Sequence, residues 1–125
     1  MNLAEHIHKK DAALFAYVVT AMKVYADKFQ LPLVSIKPLE RKNCARYFGR
    51  CSTGGKIRVR VRDARKDGGG WKGRDEPYQI IDTMAHELAH LRTVEHTEEW
   101  FNLHTQILWA MRDDGVFTAL TILCQ

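Results

Sequence analysis

His86-Glu87-Leu88-Ala89-His90, followed by His96, is the stretch from which the rest of the chain can be read. Four residues advance an α-helix by about 400°, so two histidines at this spacing share one side of it. Both imidazoles can then reach one metal ion, with Glu87 beside them to handle a proton. The pattern is HExxH, the signature of zinc hydrolases. Zinc takes four ligands, and a catalytic site draws three from protein and keeps one position for water. His96 is the natural third ligand; Glu95, Glu99 and His104 are the next donors in line. Three neutral imidazoles leave Zn2+ its full charge, which lowers the pKa of a bound water to about 7. Glu87 would take that water's proton as it attacks a carbonyl.

The flanking residues give the motif a helix. With Ile81 as origin, Met84, Leu88 and Leu91 fall in one seam, with Ala85 just beyond it. His86 and His90 lie at about 140° and 180° from Ile81, opposite that seam. The spacing predicts a helix from Pro77 or Tyr78 to Val94 that buries one face and presents both histidines to a cleft. Thr97 is a good N-cap for the next helix, with Glu98 and Glu99 in its first turn. That helix runs to about Arg112 with Trp100, Leu103, Ile107 and Met111 inward. His104 falls on its apolar side and reads as a packed, hydrogen-bonded histidine rather than a ligand. Asp113-Asp114-Gly115 breaks the helix, and Val116 to Leu123 reads as a final helical segment.

Upstream, Leu14, Val18, Met22, Tyr25 and Phe29 recur at three and four within a helix from Asp11 to Phe29. His6 and His8 precede it and read as solvated. Leu33 to Leu39 is the first strand, framed by prolines, and Ala45 to Cys51 the second. Ser52-Thr53-Gly54-Gly55 reads as a hairpin turn. In the third strand Lys56, Arg58, Arg60 and Arg62 alternate with Ile57, Val59 and Val61, so a basic row faces away from the aliphatics. Lys66 to Glu76, with three consecutive glycines and Trp71, is a loop at one rim of the cleft.

The chain of 125 residues and 14.4 kDa allows one domain, residues 1–125, with an ordinary balance of hydrophobic and charged residues. No apolar run reaches membrane-spanning length, and the first residues do not resemble a signal peptide. Three cysteines with no CxxC pair fit reduced thiols in a cytoplasmic protein. The net charge of +4 is unevenly spread: residues 41–74 hold twelve Lys or Arg against two Asp, a net of +10. Such a block on a hairpin is what a phosphate binder carries, and it names Arg58, Arg60 and Arg62 as nucleic-acid-binding candidates. Tyr78, Tyr47 and Arg92 are candidates for a second oxyanion donor, and a peptide could add to an edge of the small sheet.

The metal motif with its five-residue gap to His96, and Trp100-Phe101 soon after, resembles the SprT-like and WLM group of small zinc metallopeptidases. Gly49-Arg50-Cys51 followed by Gly55-Lys56-Ile57-Arg58 is similar to the hairpin those domains place before the metal helix. The likeness covers residues 41 to 108. It implies an α+β minimal zincin fold, with an N-terminal helix and a small antiparallel sheet packed on the metal-binding helix. It also implies His86, His90 and His96 as zinc ligands, Glu87 as general base, and proteins near DNA as substrates. Two departures stand out. The zinc-ribbon tail of many relatives is not seen here, and Thr93 stands where metzincins place glycine, with no Met-turn.

The expectation is therefore a zinc-dependent metallopeptidase acting on a protein or peptide, with DNA contact through the basic hairpin. The rivals are a zinc amide hydrolase with no nucleic-acid role, and a DNA-binding module whose metal site is structural.

Overall fold

The structure is a computed structural model that describes residues 6–44, 46–63 and 72–125. Among these, four helices and one three-stranded sheet follow in the order α1 (Ala12–Lys28), β1 (Ser35–Pro38), β2 (Gly49–Ser52), β3 (Lys56–Val59), α2 (Pro77–His90), α3 (Glu98–Asp113) and α4 (Val116–Leu123). Short 3-10 turns at Lys9–Asp11 and Arg41–Asn43 precede α1 and β2. The fold class is α+β, as expected.

α1 buries the predicted stripe of Leu14, Val18, Met22 and Tyr25, with Phe29 half-buried against it. α3 buries the predicted four residues, Trp100, Leu103, Ile107 and Met111, and Thr97 caps it by accepting a hydrogen bond from Trp100 N at 3.2 Å. Gly115, at φ 88°, makes the left-handed step that ends α3 and starts α4, which is helical and buries Val116 and Leu120. All of these side chains converge on α2. Pro77 opens that helix at a position where a missing N–H costs nothing. Ile80, Ile81, Thr83, Met84, Ala85, Glu87, Leu88 and Ala89 are all buried. The expectation of one buried face was too narrow, because α1, α3, α4, β2 and β3 all pack on α2.

The sheet has the order β1-β3-β2, and it is mixed rather than antiparallel. The β2–β3 hairpin is antiparallel, as predicted, and turns through Gly54 (φ 85°) and Gly55 (φ 77°). β1 pairs with β3 in parallel, Ile36 opposite Ile57. The chain leaves β1 by a crossover instead of a tight turn, so β3 slots between the two earlier strands and must run with the first. Among the described residues, β1 and β2 are the edges of the sheet. The second strand also starts later than predicted, at Gly49, because Arg41–Asn43 forms a 3-10 turn; Ala45 lies outside the described residues.

The alternation on β3 holds on its apolar side, with Ile57, Val59 and Val61 buried. The basic side requires a correction. Arg58, Arg60 and Arg62 do not form a free outward row. Arg60 makes two 3.0 Å bonds to the Asp75 carboxylate, donates to the Cys44 carbonyl and stacks over Phe48. Arg62 clasps Asp11 at 2.7 and 3.0 Å, and Arg74 reaches the same carboxylate at 2.9 Å. Arg58 donates to the Pro38 carbonyl at 3.0 Å and lies 4.0 Å from Glu40. The cause is tertiary: the residues before α1 and after β3 fold over this face and bring acids from far along the chain.

Those same contacts order part of the predicted loop. Asp63 N donates to Gly73 O, Lys72 N to Asp63 O and Asp75 N to Val61 O, so 72–75 run antiparallel to the residues that follow β3. The three glycines and Trp71 lie outside the described residues.

Candidate metal centre

α2 carries His86 and His90 one turn apart with Glu87 next to the first, and the helix then stops at His90, four residues earlier than its apolar pattern predicts. The chain turns at once: Leu91 N and Arg92 N bond back to Leu88 O and Ala89 O, and Arg92 Nη2 ties the turn to Phe29 O at 2.8 Å. The early stop lets His96 fold back over the helix. A helix continued to Val94 would have carried it away.

The three rings meet. His86 Nε2 is 3.1 Å from His90 Nε2, which is 3.0 Å from His96 Nε2, and the three ligand atoms lie within 4.8 Å of one another. Imidazole nitrogens about 2.05 Å from a tetrahedral zinc ion would stand roughly 3.3 Å apart, so the His86–His90 and His90–His96 spacings suit the metal and the third pair lies within reach of it. His90 Nδ1 lies 3.1 Å from the Thr93 carbonyl, which can only accept. Nδ1 therefore holds the proton, and the Nε2 lone pair is directed at the cluster. Burial, reinforced by the neighbouring histidines, pushes His86 down to about 4, so it is neutral and competent to ligate near neutral pH. Burial likewise lowers His90.

Glu87, next to His86 on α2, lies against Gly49 of β2 and lines the same cleft as the three histidines. Burial lifts its carboxyl to about 7, which suits a group that must take and return a proton near neutrality. Gly49 of β2 leaves room for it: a Cβ there would sit 3.0 Å from Glu87 Cγ and 2.9 Å from Thr83 Cγ2. Gly49 is not assigned this part by any pattern along the chain. A glycine at the start of a strand, where a backbone comes close to another element, was the available signal.

The cleft over the triad has a volume of about 720 Å³. The edge strand β2 and its hairpin turn form one wall, Pro32 and Val34 another, and Leu91 and Val94 of the turn a third. Of the three oxyanion candidates, Tyr47 lines this cleft. Tyr78 stands exposed at the start of α2, and Arg92 is committed to Phe29. His104 is held 3.1 Å from Asp82 and packs against Trp100, as predicted of a structural histidine. Among the described residues, neither Glu95 nor Glu99 joins the cluster. His6 and His8 each accept a backbone N–H, from Arg41 and Lys10.

No curated protein and no solved structure matches the chain. A family model does: the WLM domain matches residues 18–116, a wider span than the resemblance in the sequence covered. That span takes in most of α1, the whole sheet, α2, the turn bearing His96 and α3. The chain therefore belongs to the WLM domain family, which is of the SprT-like zinc-metallopeptidase type.

Proposed function

We propose that this protein is a zinc-dependent peptidase that hydrolyses peptide bonds in an extended chain laid along β2. The observation that carries the reading is the convergence of three imidazole Nε2 atoms beside a buried carboxylate, at the floor of a cleft walled by β2, an edge strand of the sheet among the described residues. His86, His90 and His96 would hold zinc, which when bound supplies a Lewis acid that polarises water and a carbonyl oxygen.

The remaining chemistry belongs to the chain itself. Glu87 accepts the proton of the attacking water and delivers it to the leaving amine; its raised pKa fits both directions. The β2 edge offers main-chain donors and acceptors to a substrate strand, which orients the scissile bond while tolerating many side chains. Pro32, Val34, Leu91 and Val94 give the cleft an apolar side. Three protein donors facing an open cleft favour catalysis over a structural metal, which is normally enclosed by four. The ion pairs of Arg60 and Arg62 count against those side chains as phosphate ligands, so nucleic acid is left out of this reading.

The test is a paired measurement of zinc content and hydrolysis of an unfolded protein. Wild type should carry about one zinc per chain, as one three-histidine site requires. His86→Ala or His90→Ala should remove it. Glu87→Gln should keep the zinc and lose roughly a hundredfold to ten-thousandfold in rate. Equal rates in Glu87→Gln and wild type would overturn the mechanism.

A further inference from the structure

Trp100 lies in the first turn of α3, and its indole is the hub of the histidine cluster. Its ring centroid is 4.5 Å from that of His96, 4.8 Å from His86 and 5.3 Å from His90. It also stacks on His104, 5.1 Å away and within 3° of parallel, and Asp82 of α2 holds His104 in turn. A continuous line thus runs from α2 through Asp82, His104 and Trp100 to His96.

The ligands differ in how well they are supported. His86 and His90 are fixed by a helix, whereas His96 is exposed and sits on the connecting turn. Trp100 is 9% exposed, and its backbone N–H is tied to Thr97, the residue after His96. Its Nε1 is, among the described residues, the one buried side-chain polar atom with no hydrogen-bond partner.

We propose that Trp100 is a positioning residue for the metal centre: its indole face holds the His96 ring where its Nε2 meets those of His86 and His90. The proposal rests on the reading of these three histidines as the metal ligands. The indole does not ligate; it restricts the one ligand the helix does not restrict, and the Asp82–His104 pair braces it from behind.

Two readouts test this, and neither depends on hydrolysis. In the metal-free protein, NMR should show the His96 ring protons shifted by the Trp100 ring current. Trp100→Leu should move them to ordinary positions and broaden them. In a zinc titration against a competing chelator, Trp100→Leu should bind roughly tenfold to a hundredfold more weakly, the usual loss when a group orienting a metal-binding imidazole is removed. It should also alter the Co2+ absorption spectrum. Trp100→Phe, which keeps an aromatic face and removes the N–H, should recover most of the affinity. Trp109→Leu, at an exposed tryptophan further along α3, should change neither readout. Should Trp100→Leu fail to fold, His104→Leu takes its place: removing the brace should weaken zinc several-fold, on the same scale, and shift the His96 protons.

Unchanged zinc affinity with unmoved His96 resonances, in whichever of these two variants folds, would overturn the proposal. Trp100→Phe as weak as Trp100→Leu would overturn the role of the ring face. A wild type that binds no zinc would instead sink the metal reading, and the His96 resonances of the metal-free protein would still decide the role of Trp100.

Discussion

Gly49→Ala is the sharpest perturbation the fold offers, because one methyl group would be pressed between the strand and the proposed general base. The added Cβ would lie 2.9 Å from Thr83 Cγ2, 3.0 Å from Glu87 Cγ and 3.1 Å from the Arg58 carbonyl oxygen. Comfortable carbon–carbon contacts are about 3.5 to 4.0 Å, so the carbon contacts are short by roughly 0.5 to 1 Å. None of the three can yield freely. The Arg58 oxygen is backbone on the paired strand, Thr83 donates its hydroxyl to Gln79 O at 2.8 Å, and Glu87 is buried. Either β2 lifts from α2 or Glu87 swings away. Overpacking of this kind costs about 1 to 3 kcal/mol. At about 4 °C per kcal/mol for a chain this size, Tm should fall by roughly 4 to 12 °C. A misplacement approaching 1 Å costs on the order of a hundredfold in rate, so hydrolysis should drop by tenfold to a hundredfold while zinc stays bound. Gly73→Ala, where a Cβ meets nothing within 4 Å, is the control. Differential scanning calorimetry, zinc analysis and the hydrolysis assay read the three effects separately. A Gly49→Ala protein with the Tm and rate of wild type would refute the idea that this glycine makes room for Glu87.

Other perturbations reach other parts of the fold. Gly55→Ala should cost more than Gly49→Ala in a urea titration, since its Cβ would lie 2.1 Å from the Pro32 carbonyl oxygen at a φ of 77° that disfavours any side chain. Asp11→Ala should destabilise by about 3 kcal/mol, the low end for breaking a buried pair, because Arg62 and Arg74 keep some solvent. Burial raises the Asp11 carboxyl, but the hydrogen bonds and charges of Arg62 and Arg74 outweigh it and hold it below the usual carboxylate range. A depressed folded value means the stabilisation is complete above the ordinary carboxylate pKa of about 3.9 and lost as pH falls through the folded value. The gap in urea midpoint between wild type and Asp11→Ala should therefore be constant from pH 7 to 5 and close in acid; a gap that widens in acid would contradict the sign. Reversing Arg60 to Glu should unfold or loosen the protein, read as a lower Tm, because it sets a third carboxylate against Asp75 and Asp63. An unchanged Tm would show that those pairs hold nothing together.

Much of this protein is local and therefore legible in sequence. The metal motif needs only a helix of 3.6 residues per turn to bring His86 and His90 together, and the apolar seam of α2 supplies the helix. The stripes of α1 and α3, the Thr97 cap, the Gly115 break and the β2–β3 turn are likewise set by residues within a few positions of one another. The position of His96 was legible as a donor at a workable distance along the chain, but not as a ligand in place. That depended on the helix stopping at His90, which its own apolar pattern did not forecast. The tie from Arg92 to Phe29 holds the turn that follows, and it exists only once α1 lies alongside. The basic row failed for the same reason. Alternation correctly told the two faces of β3 apart, yet it could not tell solvent from a second layer carrying Asp11 and Asp75, because those acids arrive from 51 and 15 residues away. Gly49 of β2 against Glu87 and Trp100 among the histidines belong to that second class. A periodic pattern shows which side of an element a residue takes, and only the packing of distant elements decides what waits on that side.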